Sequence, residues 1–395
     1  MGRELEGIRI VDLGQIYAAP YCTLQLAAMG AEVIKVEPPG RGEGLRHLYK
    51  PPSETNYAFL MLNADKKSVT LNLKDPRGRE ILMRMLGNAD ILVENFLAGV
   101  METLELDYER LRDRFPRLIY ASAKGYASGS RWERLGAMDA CIQAACGFVT
   151  TTGFPDRPGV KTPATFIDMG TGSHLATAII AALFARERTG RGRKVEVAML
   201  DVALPAMTTA VAAALEGHPM HRLGNRHLGA CPCNVYPARD GELLIFCLTL
   251  EHWRRLLRVI GRSELIDEPR FGNNASRMRQ ADEIDAMVSA WTSGRGRDEM
   301  VAAMLEAGVP CAPVRSVEEI VADPELYDRG VLRRTEYFDH GAVTVFGTPL
   351  RMGENDSERE PARQPPQLGE HTDEVLGALG IGLAERETLR REGVI

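Results

Sequence analysis

Basic charge is in short supply in this chain. Its 48 Lys and Arg stand against 54 Asp and Glu, giving a net charge of −6 at pH 7 and an isoelectric point of about 5.9. A nucleic-acid partner would want a basic face, so none is expected; local basic patches still suit a phosphorylated cofactor. Long apolar runs are also missing. The cleanest, Leu175–Ala185, is too short to cross a bilayer, and Pro205 with two threonines interrupts the next. The opening Met1-Gly-Arg-Glu-Leu-Glu6 has no apolar signal-peptide core, and Glu6 stands where a myristoylation motif wants Ser or Thr. Cysteine is sparse, odd in number at seven, and scattered through apolar segments. Reduced thiols in a cytoplasmic protein without a membrane partner are expected.

Several catalytic signatures are absent too. The first strand-turn-helix holds only Gly14 where a dinucleotide fingerprint needs three glycines, so a nucleotide-dependent oxidoreductase is a remote alternative. There is no phosphate-binding P-loop and no G-x-S-x-G nucleophile elbow. No His occurs between His47 and His174, so the first half lacks the usual neutral-pH proton carrier. His218, His221, His227, Cys231 and Cys233 match no closed zinc pattern, and no metal site is expected. Cys141 and Cys146 lie on an apolar helical stretch, 139–148, and read as core residues.

What is present is a regular alternation. Strands are predicted at 8–13, 32–36, 67–73, 91–93, 118–121 and 195–199. Helices fall between them at 20–29, from Asp75-Pro76 to Gly87, and at 108–114. This spacing implies an α/β fold: a large doubly wound, Rossmann-like parallel sheet with helices on both faces. The pattern changes near 205. Residues 205–224 read as a linker, and 225–328 as a smaller α+β domain with a hairpin turned at Asp240-Gly241 and helices near 250–260, 281–292 and 297–307. Residues 329–395 read as a second linker and a return to the first domain, 1–204, with a polar loop at 358–367.

The segment Thr165-Phe-Ile-Asp-Met-Gly-Thr-Gly-Ser-His174 places Asp168 in a glycine-containing turn at the mouth of a helix that begins near Leu175 and stops near Gly190. The positive end of a helix dipole favours an ionised, nucleophilic carboxylate there. Asp is equally a preferred capping residue, and on this segment alone both readings stand.

Several motifs recur in order. They are Asp12–Pro20 (D-L-x-x-x-x-A-x-P), Met29–Gly40, Leu71–Lys74, Glu94–Phe96, Tyr120–Gly125, Asp168–Gly172, Arg188–Gly192 and Gly308–Val314. Along its whole length the chain resembles the class III CoA-transferase (CaiB/BaiF) family. The resemblance implies that Asp168 is the catalytic nucleophile. It implies that Leu71, Asn72, Leu73 and Lys74, with Asn95, Phe96 and Leu97, line the CoA site. Tyr17 and Ala18 would face CoA and the reacting acyl group, while Gly136, Ala137, Met138 and Asp139 would contact CoA beside the nucleophile. Tyr17, Met138 and Asp139 would also meet the acid substrate. CoA and acyl-CoA would be substrates, with no tightly bound cofactor and no metal. The assembly implied is an interlocked homodimer.

The chemistry expected is transfer of CoA from an acyl-CoA to a small, dicarboxylic acid. A carboxylate attacks the thioester, giving a mixed anhydride and then an aspartyl-CoA thioester. Backbone N–H groups around Gly170 and Gly172 are the oxyanion donors expected. Family members that use oxalate carry a glutamine where Tyr17 stands, basic residues where Pro38, Thr103 and Gly136 stand, and a glycine-rich loop missing here between Cys233 and Leu248. The related α-methylacyl-CoA racemases place a catalytic His in the stretch that reads Gly136–Asp139; no His stands there, so racemisation is the alternative reading and transfer the expected one.

Overall fold

The computed structural model describes residues 3–51, 54–218, 220–338, 340–351 and 364–395. Residues 358–363 of the expected polar loop lie outside these. The chain divides into two compact units: Met1–Cys146 with Thr162–Thr208 and Asp323–Ile395, and Gly147–Lys161 with Thr209–Ala322.

The first unit is built on six strands: β1 (Arg9–Asp12), β2 (Glu32–Glu37), β3 (Lys67–Thr70), β4 (Ile91–Glu94), β5 (Ile119–Lys124) and β6 (Lys194–Ala198). All neighbours pair in parallel, in the order β3-β2-β1-β4-β5-β6. Consecutive residues point to opposite faces, and both faces are covered. Ile10, Val33, Ile91 and Ile119 meet the helices Ala18–Ala28 and Phe166–Thr189. Val11, Ile34, Leu92 and Tyr120 meet Leu82, Met85 and Leu111 from the helices Pro76–Leu86 and Tyr108–Arg114. Double-sided burial accounts for the apolar stretches Ile91–Val93 in β4 and Ile10-Val11 in β1. The strand order reverses between β1 and β4, so the loops leaving them diverge and open a crevice at their carboxyl ends. Val375, Leu376, Leu389, Val394 and Ile395 return to the second of these cores.

Two expectations are corrected here. The long helix begins at Phe166, well before Leu175, so Gly170 and Gly172 lie inside it rather than in a turn. At 24 residues, with an 18-residue window of mean hydropathy 1.3, it is long and apolar enough for a bilayer, but Leu175, Ala176, Ile179 and Ala182 are buried against the sheet. The stretch 205–224 is not a bare linker: Met199–Ala206 and Thr208–Leu215 are helical, as alanine-rich sequence favours.

In the second unit a hairpin, β7 (Cys233–Ala238) with β8 (Gly241–Phe246), turns at Asp240 as expected, and β9 (Cys311–Pro313) adds a third antiparallel strand. Trp253, Leu256, Val288 and Met304 form its core with Tyr236 and Ile245. Residues 147–161, expected within the large domain, belong here, since Gly224 N–H donates to Gly153 O at 2.9 Å and Arg222 Nε to Phe154 O at 3.2 Å.

Candidate active site

The loop leaving β1 is held by buried charge. Asp12 is fully buried and accepts hydrogen bonds from Gly14 N (2.7 Å), Thr23 Oγ1 (2.6 Å) and Lys66 Nζ (3.2 Å). Burial drives the Lys66 ammonium down to about 8, although Asp12 opposes the fall. Lys35 Nζ donates to Gly14 O at 2.6 Å and lies 3.7 Å from Glu43. Glu43 Oε2 accepts from Ile16 N at 3.2 Å, and Arg46 grips Glu37 with two hydrogen bonds of 2.6 and 2.7 Å. Within this frame Ile16 adopts φ +65°, a conformation that costs a β-branched residue on the order of 1–3 kcal/mol. Across the crevice Asn95 clasps Gln15: Oδ1 accepts its N–H and Nδ2 donates to its carbonyl, both at 2.8 Å. The switch point thus presents Tyr17 and Ala18 at the start of one helix, with Asn95, Phe96 and Leu97 opposite.

Asp168 sits in the first turn of the Phe166–Thr189 helix, half-buried, and its carboxylate has no hydrogen-bond partner among the described residues. Another carboxylate does the capping. Asp139 Oδ2 accepts from Ile167 N at 2.8 Å and from Asp168 N at 3.1 Å, while Oδ1 accepts from Gln143 Nε2 at 2.6 Å. Gln143 in turn accepts from Thr162 N at 3.0 Å and donates to Thr162 O at 3.2 Å. This clamp carries the chain into the helix without a side-chain cap from Thr165. Asp168 is therefore not the cap. Nor does the helix end keep it ionised as expected: burial first, then the nearby charge of Asp139, push its carboxyl up to about 7. The oxyanion donors expected at Gly170 and Gly172 are corrected as well, because inside a helix their N–H groups belong to the i to i−4 ladder.

Tyr17 feels the same site. Burial, then the charge of Asp168, raise its phenol above the ordinary value, so it stays protonated at neutral pH. Ile16, Tyr17, Tyr21 and Met169, the residue after Asp168, all pack against one buried cluster that includes Leu24, Leu45 and Phe59. Gly172 permits this approach: a Cβ there would stand 2.6 Å from Ala18 O and 3.1 Å from Cys22 N.

The structure thus brings Tyr17, Ala18, Asp139 and Asp168 together. Met138 is exposed beside Asp139, with Gly136 exposed and Ala137 fitted against Gly125, whose Cβ would meet it at 2.1 Å. The carboxylate of Asp139, expected to touch substrate, is buried and already used by backbone N–H groups and Gln143. Phe96 is pinned by its N–H to Glu94 (2.9 Å) and by Lys124 Nζ on its carbonyl (2.7 Å). Leu71, Asn72, Leu73 and Lys74 follow β3 at the sheet edge, where Asn72 N donates to Val394 O at 2.8 Å and Lys74 is exposed. No contact among the described residues joins that segment to Asp168. A cavity beside β4 and β5, lined by Glu94, Tyr120 and Lys124, lies apart from Asp168 as well.

Lys35, Glu43, Lys66 and Gln143 escaped the sequence reading. The available signal was charge inside apolar strand sequence, as in Glu32-Val-Ile-Lys-Val-Glu37. In the second unit Gly229 N donates to His227 Nδ1 and the ring lies 5.3 Å from that of Phe246, while burial pushes the Cys231 thiol up to about 11 and Cys247 to about 12. Among the described residues no three His, Cys, Asp or Glu side chains converge as metal ligands.

Comparison with known proteins agrees along the chain. The sequence model of CoA-transferase family III matches residues 5–372. Formyl-CoA:oxalate CoA-transferase from Streptomyces avermitilis is 32% identical over 413 residues, covering 100% of both chains. An acyl-CoA transferase from Fusarium pseudograminearum is 31% identical, covering 99% of this chain and 88% of its own. The crystal structure of a CAIB/BAIF family protein from Brucella suis superposes with a TM-score of 0.84 at 30% identity, covering 96% of this chain and all of that one. With the parallel sheet, the switch-point crevice and an unpartnered carboxylate beside it, these similarities establish that the chain belongs to CoA-transferase family III, the CaiB/BaiF family, and is a CoA-transferase.

Proposed function

We propose that this enzyme moves CoA from an acyl-CoA donor to a small carboxylic acid, with Asp168 as the nucleophile. The observation that carries the reading is the Asp168 carboxylate itself: half-buried and without a hydrogen-bond partner among the described residues, while a neighbouring carboxylate does the structural work at the helix end. In its ionised form it attacks the thioester carbonyl; CoA leaves as thiolate, and an acyl-aspartyl anhydride forms. The thiolate then attacks the aspartyl carbonyl, releasing the acyl group as carboxylate and leaving aspartyl-CoA. The acceptor carboxylate displaces CoA by the same two steps in reverse. Tyr17, held protonated beside Asp168, is positioned to donate to a developing oxyanion. The half-buried setting limits water, which would hydrolyse each intermediate.

Substrate identity follows the relatives only in class. Formyl-CoA and oxalate appear in the name of the Streptomyces homologue; Tyr17 in this crevice favours a small acid, a dicarboxylate in our reading, with Met138 beside it. Leu71–Lys74, Asn95–Leu97 and Gly136–Met138 are the proposed CoA contacts, in a cytoplasmic, interlocked homodimer that needs no resident cofactor. Incubation with acyl-CoA alone should leave an acyl or CoA adduct on the peptide containing Asp168, trapped by hydroxylamine and read by mass spectrometry. Absence of any adduct across a panel of acyl-CoA donors would reject the mechanism. The same panel, crossed with small acids, identifies the substrate pair.

A further inference from the structure

Glu43 lies in the segment between β2 and β3, outside every residue assigned so far to substrate or CoA. Its side chain is 1% exposed. Oε2 accepts from Leu45 N at 2.8 Å and from Ile16 N at 3.2 Å. Oε1 has no hydrogen-bond partner among the described residues and lies 3.7 Å from Lys35 Nζ, whose own hydrogen bond goes to Gly14 O. One buried ion pair therefore holds the loop after β1 at two backbone points, the Gly14 carbonyl and the Ile16 N–H. Between those points the chain enters the left-handed turn at Ile16. The next residue is Tyr17, the N-cap of the Ala18–Ala28 helix. An anchor for the Gly44–His47 turn alone would need only the bond to Leu45. A buried carboxylate with an orphaned oxygen is costly to desolvate, and its reach to Ile16 is what the turn at Leu45 leaves unexplained.

We propose that Glu43, backed by Lys35, is a positioning residue for transfer: it holds Ile16 in its left-handed turn and so fixes Tyr17 against Asp168. This rests on Asp168 and Tyr17 forming the reaction centre.

The test uses the full chain labelled with 3-fluorotyrosine, the Tyr17 signal being assigned by its loss in Tyr17→Phe. In Glu43→Gln the Tyr17 fluorine resonance should shift or split while those of Tyr120 and Tyr236 stay in place. In the transfer assay the same variant should lose about tenfold in kcat, the scale expected for a small misplacement. The KM for acyl-CoA should stay within about twofold. Introduced into Tyr17→Phe, the substitution should cost nothing further. Glu43→Asp, which keeps the charge but withdraws it from Ile16, should move the same resonance. An unmoved Tyr17 signal, or an undiminished kinetic loss in the Tyr17→Phe background, would overturn the proposal. So would loss of the fold in both Glu43 variants, which would make Glu43 a folding residue. If the unsubstituted protein transfers no CoA, the functional reading fails, and the fluorine spectrum still decides whether Glu43 positions Tyr17.

Discussion

Asp168 titrates in the neutral range, because burial and the charge of Asp139 hold its carboxyl up to about 7. Only the ionised form attacks a thioester, so kcat/KM for acyl-CoA should rise with pH and level off above about 7. Removing the charge of the neighbour in Asp139→Asn should move that profile toward acid, and only in part, since burial is the larger cause. A profile unchanged by the substitution would disconnect the two carboxylates. Asp168→Asn should fold and bind CoA yet lose transfer by at least about a thousandfold, the scale of removing a nucleophile. Its stability carries an independent sign. A raised carboxyl pKa means that folding favours the protonated form. This contribution is complete below the ordinary carboxyl value near 4 and is lost as pH rises through about 7. The Asn variant should therefore melt above the parent at pH 8, and the gap should close toward pH 4. A simple cap would give the reverse, a less stable variant, in the same thermal scans. Tyr17→Phe should lower kcat by about 10- to 100-fold if its hydroxyl serves an oxyanion.

At the scale of elements, legibility tracked where each element finds its terminus. The Pro76–Leu86 helix carries its own signals, Asp75 accepting from Arg77 N at one end and Gly87 at the other, and its bounds were readable. The Phe166–Thr189 helix was readable only at Gly190. Its start is capped by Asp139, which lies 28 and 29 residues before the two N–H groups it accepts from, and local sequence cannot announce a cap that arrives through space. For the same reason Gly170 and Gly172 looked like turn residues. Their meaning emerges only against a second helix: Gly172 is small because Ala18 O is where its Cβ would be. Gly172→Ala should therefore force the two helices apart, costing about 1–3 kcal/mol of stability in denaturant titration. It should also depress transfer, since Tyr17 and Asp168 ride on those helices. Normal stability would show that the contact relaxes freely. The buried charges behind the loop were equally hidden, because Lys35 meets Glu43, and Glu37 meets Arg46, only once the chain has folded.

For the molecule as a whole, assembly and cofactor capture remain as expectations to test. Light scattering at micromolar concentration should report a dimer, and a monomer would dismiss the interlocked arrangement. Lys74→Ala should raise the KM for acyl-CoA with little change in kcat, the pattern of lost uniform binding. The large unit also has a history written into its connectivity. Its core beside β3 closes only when Val375, Leu376, Leu389, Val394 and Ile395 arrive, after the entire second unit has passed. A ribosome working at roughly 5–20 residues per second therefore spends about ten to forty seconds holding a sheet with one face unfinished. During that interval Leu82, Leu92 and Tyr120 have no C-terminal lid. The second unit, whose parts after residue 208 are continuous, is free to fold first, so the exposed apolar face that a chaperone would cover during synthesis is expected on the sheet unit.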